Sequence, residues 1–151
     1  MRSTSRESPR PPATSPAPVF VLDAYAVLCY LQDEPGADEV ERLLEQARAG
    51  RIRLLLTWVN LGEVYYRTCR TLGERKAQEV LAVVKEWPVT LLAADETLTV
   101  AAAGVKAGHA LSYADAYAVA ACLVHKAALV TGDPELETVE ATLRLSIRWL
   151  G

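Results

Sequence analysis

The chain has 151 residues, of which 51% are hydrophobic and 23% charged, with a formal net charge of −3. That length suits one domain with a buried core, and that composition excludes a wholly disordered chain. Residues 1–18 hold three arginines against one glutamate, so the remainder carries −5, which argues against coating of nucleic acid through many phosphate contacts.

The opening stretch, MRSTSRESPRPPATSPAP, is rich in proline and serine and has no apolar core of the secretory-signal kind. It is expected to be a disordered leader of residues 1–18, with residues 19–151 forming the domain. VFVLD (19–23) reads as a short buried strand, followed by a helix over 24–32 that Pro35 and Gly36 break. An amphipathic helix over 37–49 comes next, with Val40, Leu43, Leu44 and Ala47 on one face, and Gly50 stops it. IRLLLT (52–57) is the next strand, and its Thr57 is a good cap for a helix over 58–72. Gly73 ends that helix, and residues 74–87 form another.

PVTLLA (88–93) reads as a third strand, with Pro88 tolerated at its start. Residues 95–106 are predicted helical, 108–109 a loop, and SYADAYAVAACLVHK (112–126) a helix rich in small apolar residues. ALVTGD (128–133) is a fourth strand ending in a Gly-Asp-Pro turn, and LRLSIRWL (143–150) a fifth. Strands alternating with helices indicate an α/β fold with a mostly parallel sheet of about five strands and helices on both faces. The most apolar late run, LVHKAALV, is interrupted by His125 and Lys126, so no membrane span is predicted. Cys29, Cys69 and Cys122 lack metal-binding or disulfide spacing and read as small apolar residues in a reducing cytoplasm.

Four acids stand out once these elements are placed. Asp23 ends the first strand, Glu63 lies in the second turn of the helix leaving the second, Asp115 opens its helix, and Asp133 follows the fourth strand. In an open α/β sheet the functional edge lies beyond the carboxyl ends of the strands, and all four belong there. Each has a local explanation of its own: Asp23 as a helix cap, Glu63 as the i+4 partner of Arg67, Asp115 three residues after Ser112 in a capping arrangement, Asp133 as a turn residue. Together, in apolar surroundings, they repel one another and must be neutralised by protons or cations. Oxygen-only ligands suit Mg²⁺ or Mn²⁺, and the absence of a thiolate or histidine cluster disfavours zinc.

The order LDAYAVLCYL, NLGEVYYR, LSYADAYAVAA, LVTGDPEL resembles the PIN-domain ribonucleases, most closely the VapC-like toxins of toxin–antitoxin pairs, over residues 19–150. The resemblance implies a three-layer α/β/α sandwich and Mg²⁺- or Mn²⁺-dependent hydrolysis of single-stranded or looped RNA, leaving a 5′-phosphate. It implies that Asp23, Glu63, Asp115 and Asp133 form the catalytic, metal-binding quartet, with Asn60, Ser112 and Thr131 as polar supports. Arg67 and Arg70, with Lys106 and His109 nearby, are candidates for gripping substrate phosphate. A homodimer, a cognate antitoxin and a cytoplasmic location follow from the same resemblance. Tyr25 departs from the pattern, standing where a small hydroxyl residue is common, and narrows the site.

Trp58, Tyr65 and Tyr66 offer base-stacking surfaces, though aromatics at helical spacing more often belong to a core or an interface. A receiver-like or haloacid-dehalogenase-like reading is disfavoured, because Asp23 has no acidic neighbour and no Asp-x-Asp follows the first strand. The remaining alternative is a PIN-like fold that binds RNA or a protein partner without cutting.

Overall fold

The computed structural model describes residues 16–151, so the expected leader lies outside the described residues except for its last three. These carry no helix or strand, and the Pro18 carbonyl already accepts from the Arg53 N–H at 2.9 Å. The elements run β1 (Val19–Leu22), α1 (Ala24–Leu31), α2 (Ala37–Arg48), β2 (Arg53–Thr57), α3 (Trp58–Leu72), α4 (Glu74–Lys85) and β3 (Thr90–Leu92). They continue with α5 (Glu96–Gly108), α6 (Tyr113–His125), β4 (Ala128–Thr131), a 3₁₀ turn (Pro134–Leu136), α7 (Glu137–Thr142) and β5 (Ile147–Trp149).

The sheet order is β3-β2-β1-β4-β5, and every pairing is parallel rather than most of them. β1 is therefore central, with β2 and β4 on either side. Side-chain alternation divides the strands between two cores. Phe20, Leu22, Leu54, Leu56 and Val130 pack under α1, α2 and α3, whereas Val21, Leu55 and Leu129 pack under α5, α6 and α7. The amphipathic reading of α2 agrees with its burial: Val40, Leu43 and Leu44 are buried and Ala47 half-buried.

Four helices start on a side chain that accepts an otherwise unpaired N–H, as helix ends require. Asp23 caps α1, Thr57 caps α3, Asp95 caps α5 and Ser112 caps α6. Gly73 sits between α3 and α4 with φ +93°, a left-handed corner at which a side chain would be strained.

Several boundaries differ from expectation. α4 ends at Lys85 because Pro88 disfavours helical backbone at Trp87, whose N–H closes a turn onto Val84. Gly108, expected in a loop, is the last residue of α5. The expected fifth strand shrinks to Ile147–Trp149: Leu143 and Leu145 donate back to Val139 and Glu140, closing a helix, α7, that the sequence reading lacked. Six residues with one buried side chain, Val139, carry too little periodicity to announce a helix. Trp58 and Tyr66 belong to neither core and are exposed. Among the described residues no helix is long and apolar enough to cross a membrane.

In α6, residues 116–122 are buried without a break, and four of them are alanines, which lets the helix lie close to the sheet and to α5. Ala120→Leu should therefore cost about 1–3 kcal/mol by overpacking. A urea titration with unchanged slope and a lower midpoint checks this.

Candidate metal centre at the carboxylate edge

Asp23 leaves β1 at the centre of the sheet and is only 1% exposed. Its Oδ1 accepts from the Ala26 N–H at 2.9 Å, so it is a helix cap as well as a buried carboxylate. The Thr131 hydroxyl, at the end of neighbouring β4, donates to it, and Thr131 Oγ1 accepts in turn from the Asp133 N–H at 3.0 Å. One buried hydroxyl thus joins the first and fourth acids. Burial pushes the Asp23 carboxyl up to about 7; Thr131 and Ala26 oppose the rise, and Asp115 and Asp133 add to it.

Asp115 stands in the first turn of α6, where its N–H donates to Ser112 Oγ at 3.1 Å. Burial raises its carboxyl to about 6, helped by the charges of Asp133, Glu63 and Glu135. Burial likewise raises the Glu63 carboxyl, with Arg67 opposing and Asp133 adding to the rise. The four acids therefore share one electrostatic neighbourhood at the carboxyl ends of the strands. Oxygens of Asp115, Asp133 and Glu135 lie within 4.8 Å of one another. Glu63 Oε1 is buried and, among the described residues, meets no hydrogen-bond donor.

Glu135 escaped the sequence reading. It is exposed and two residues beyond Asp133, and it turns toward the group because its N–H donates to Asp133 Oδ1 at 3.0 Å. The Asp-Pro-Glu run at the mouth of a strand was the available signal.

The supporting residues divide. Asn60 is fully buried; its Oδ1 accepts from the Thr57 hydroxyl at 2.6 Å and its Nδ2 donates to the Ala114 carbonyl at 3.0 Å. It ties the start of α3, and hence Glu63, to the start of α6, and hence Asp115. Ser112 caps α6 and is exposed, while Thr131 is buried between Asp23 and Asp133.

Of the basic candidates, Arg67 lies 3.6 Å from Glu63, and Arg70 stacks over Tyr66 at 5.1 Å from the ring centre. Lys106 donates to the Leu111 carbonyl at 2.5 Å, and His109 Nδ1 lies 3.0 Å from the Val105 carbonyl. These last two serve the α5–α6 corner. Tyr25 lies against Gly132: a Cβ at that glycine would come within 2.3 Å of the tyrosine ring. The bulk of Tyr25 is thus accommodated by the missing side chain next to Asp133.

An all-oxygen donor set with a buried, unpartnered carboxylate oxygen fits a hard divalent cation with some water ligands. Asn60→Ala removes a tie rather than a ligand and leaves the Thr57 hydroxyl and Ala114 carbonyl without their partner. It should cost about 1–3 kcal/mol of stability, measured by chemical denaturation.

The comparisons with known proteins agree with this architecture. No curated protein sequence matches the chain. Among solved structures, a chain of VapBC2 from Rickettsia felis, bound to promoter DNA, superposes with TM-score 0.70 at 14% identity, over 88% of this chain and 99% of that one. DNA-bound VapBC from Salmonella typhimurium gives 0.67 at 15% identity, over 87% and 97%. VapC20 from Mycobacterium tuberculosis, described as a toxin that cleaves the sarcin–ricin loop, gives 0.62 at 17% identity, over 80% and 94%. These likenesses concern the fold. The model of the PIN domain matches residues 20–141, and the chain belongs to that family.

Proposed function

We propose that the protein is a Mg²⁺- or Mn²⁺-dependent endoribonuclease, the toxin of a toxin–antitoxin pair. The observation that carries this reading is the acidic edge: half-buried Asp115 and Asp133 and exposed Glu135 with carboxylate oxygens within 4.8 Å, beside a buried Glu63 oxygen with no donor among the described residues. Such a group gains by taking up a divalent cation and then presents positive charge to a phosphodiester. Asp23, Glu63, Asp115 and Asp133 are the residues that would hold the ion. A divalent ion there would polarise the phosphate and lower the pKa of a bound water. The chain's own contribution is placement. Thr131 fixes Asp23, Asn60 holds the Glu63 and Asp115 helices together, and Asp115 is half-buried. Arg67, exposed beyond Glu63, is within reach of a substrate phosphate, with Arg70 one turn away.

The solved VapBC structures support an antitoxin as partner. An apolar groove of about 210 Å³ between α1, α3 and α4, lined by Leu28, Leu31, Leu72, Val80 and Val83, suits an apolar segment of it. A homodimer and a cytoplasmic site of action belong to the same reading.

Purified protein should cleave RNA with Mg²⁺ or Mn²⁺ and stop when chelator is added. Asp115→Asn should lower cleavage by at least about 100-fold, beyond what loss of an outer-shell partner costs. Its stability should hold or rise, because one of several repelling charges is gone. A variant that cuts like the parent would replace this reading by RNA or protein binding without cleavage.

The carboxylates also set a pH dependence. Asp23 and Asp115 have folded values of about 7 and about 6 against an ordinary 3.8. The stability they contribute is complete below the ordinary value and is lost as pH rises through the folded values. In chelator, the melting temperature should fall between pH 5 and 7.5, and Asp23→Asn should flatten that fall. Mn²⁺ should restore stability at pH 7.5 and do little at pH 5, by scanning calorimetry.

A further inference from the structure

The opposite end of the sheet carries charge of the opposite sign. A cleft of about 630 Å³ opens between the starts of β1, β4 and β5 and the end of α6. Its charged lining residues are Lys126, Arg144 and Arg148, and among the described residues no carboxylate lines it. Arg148 is engaged elsewhere, 2.6 Å from Glu39 and over the Phe20 ring. Lys126 and Arg144 are exposed, and among the described residues neither pairs with a carboxylate.

Both residues hold left-handed backbone, with φ of 54° and 52°. Helix ends reach that conformation readily with glycine or asparagine, and a side chain with a Cβ is disfavoured there. Asp33, the third such residue with a side chain, is of a type that tolerates it. Lys126 terminates α6 and Arg144 follows α7, where the helix dipole favours a cation. The last helical turn offers the same benefit without strain, so the dipole does not explain why both cations occupy the corners. Strained positions kept by long basic side chains, both opening on one cleft in an otherwise acidic body, point to a ligand.

We propose that the cleft grips a backbone phosphate of the single-stranded RNA whose scissile bond lies at the carboxylate edge. The identity of the polyanion rests on the ribonuclease reading. β5, an edge strand of the sheet, connects the two ends: Ile147 pairs with Leu129 near the cleft and Trp149 with Thr131 beside the acids. Val19 at the cleft and Asp23, just past the end of the same strand, are four residues apart, roughly 13 Å. One RNA strand running along the β5 side spans that distance in a few nucleotides.

The test uses the full chain carrying Asp115→Asn, so that RNA is bound without being cut, and a fluorescein-labelled single-stranded RNA of 12 nucleotides. Its anisotropy is followed across a salt series. Lys126→Gly with Arg144→Gly should weaken binding by about tenfold at low salt and reduce the slope of log affinity against log salt by about 0.7, the value for one lost phosphate contact. The melting temperature should hold or rise, since glycine suits both corners. Arg75→Ala with Lys85→Ala, away from the cleft, should leave the slope in place. Unchanged slope and affinity in the glycine pair overturn the proposal, and the corresponding asparagine pair decides in the same way if the glycine pair does not fold. Inorganic phosphate shifting the NMR signals of Lys126 and Arg144 while the RNA slope stays unchanged would also overturn it, in favour of a free-phosphate site. A parent protein that cuts no RNA, with the slope still lowered in the glycine pair, would leave the cleft standing and remove the ribonuclease reading.

Discussion

Burying a carboxylate at the end of the central strand is the constraint around which this molecule is arranged. Asp23 has almost no access to water, and its charged form is favoured by the Ala26 N–H and the Thr131 hydroxyl. Both donors come from the topology. Ala26 is available because α1 begins at once after β1, and Thr131 because β4 pairs directly with β1. The parallel arrangement then delivers the other acids to the same edge, where each one raises the proton affinity of its neighbours. The site is thus a region of concentrated, incompletely compensated negative charge held in place by an apolar scaffold.

That scaffold is stiff where the charge is densest. The alanine-rich α6 packs close to the sheet and brings Asp115 inward, and Asn60, held by the Thr57 hydroxyl, links α3 to it by donating to the Ala114 carbonyl. Tyr25 and Gly132 show the same economy of space, the ring of one lying where the side chain of the other would be. Substitution at either position is felt at Asp133, because Gly132 lies between it and Thr131. Stability and site geometry are therefore not separable here, as expected where repelling groups are held together by packing.

Much of this was legible from residue order. The apolar run around Asp23, the cap at Thr57, the face of α2 and the placement of four acids toward the carboxyl edge of the sheet all derive from local chemistry and the general behaviour of α/β sheets. What escaped was set by tertiary context. Glu135 reaches the group through a turn that folds the chain back by two residues. α7 is too short to show a period, and Trp58 and Tyr66 have aromatic side chains whose exposure depends on what lies opposite. The left-handed corners at Lys126 and Arg144 could not be read at all, since lysine and arginine carry no signal for that backbone.

The sheet order also has a consequence for how the molecule comes into being. Asp23 sits near the start of the domain and Asp133 near its end, yet they become neighbours only when β4 docks against β1. Contacts of such long sequence separation close late and slowly. During synthesis the first acid emerges long before the strand that supplies Thr131, so a nascent or truncated chain holds isolated, ordinary carboxylates. The concentrated negative edge exists only in the finished fold, and with it any chemistry that edge performs.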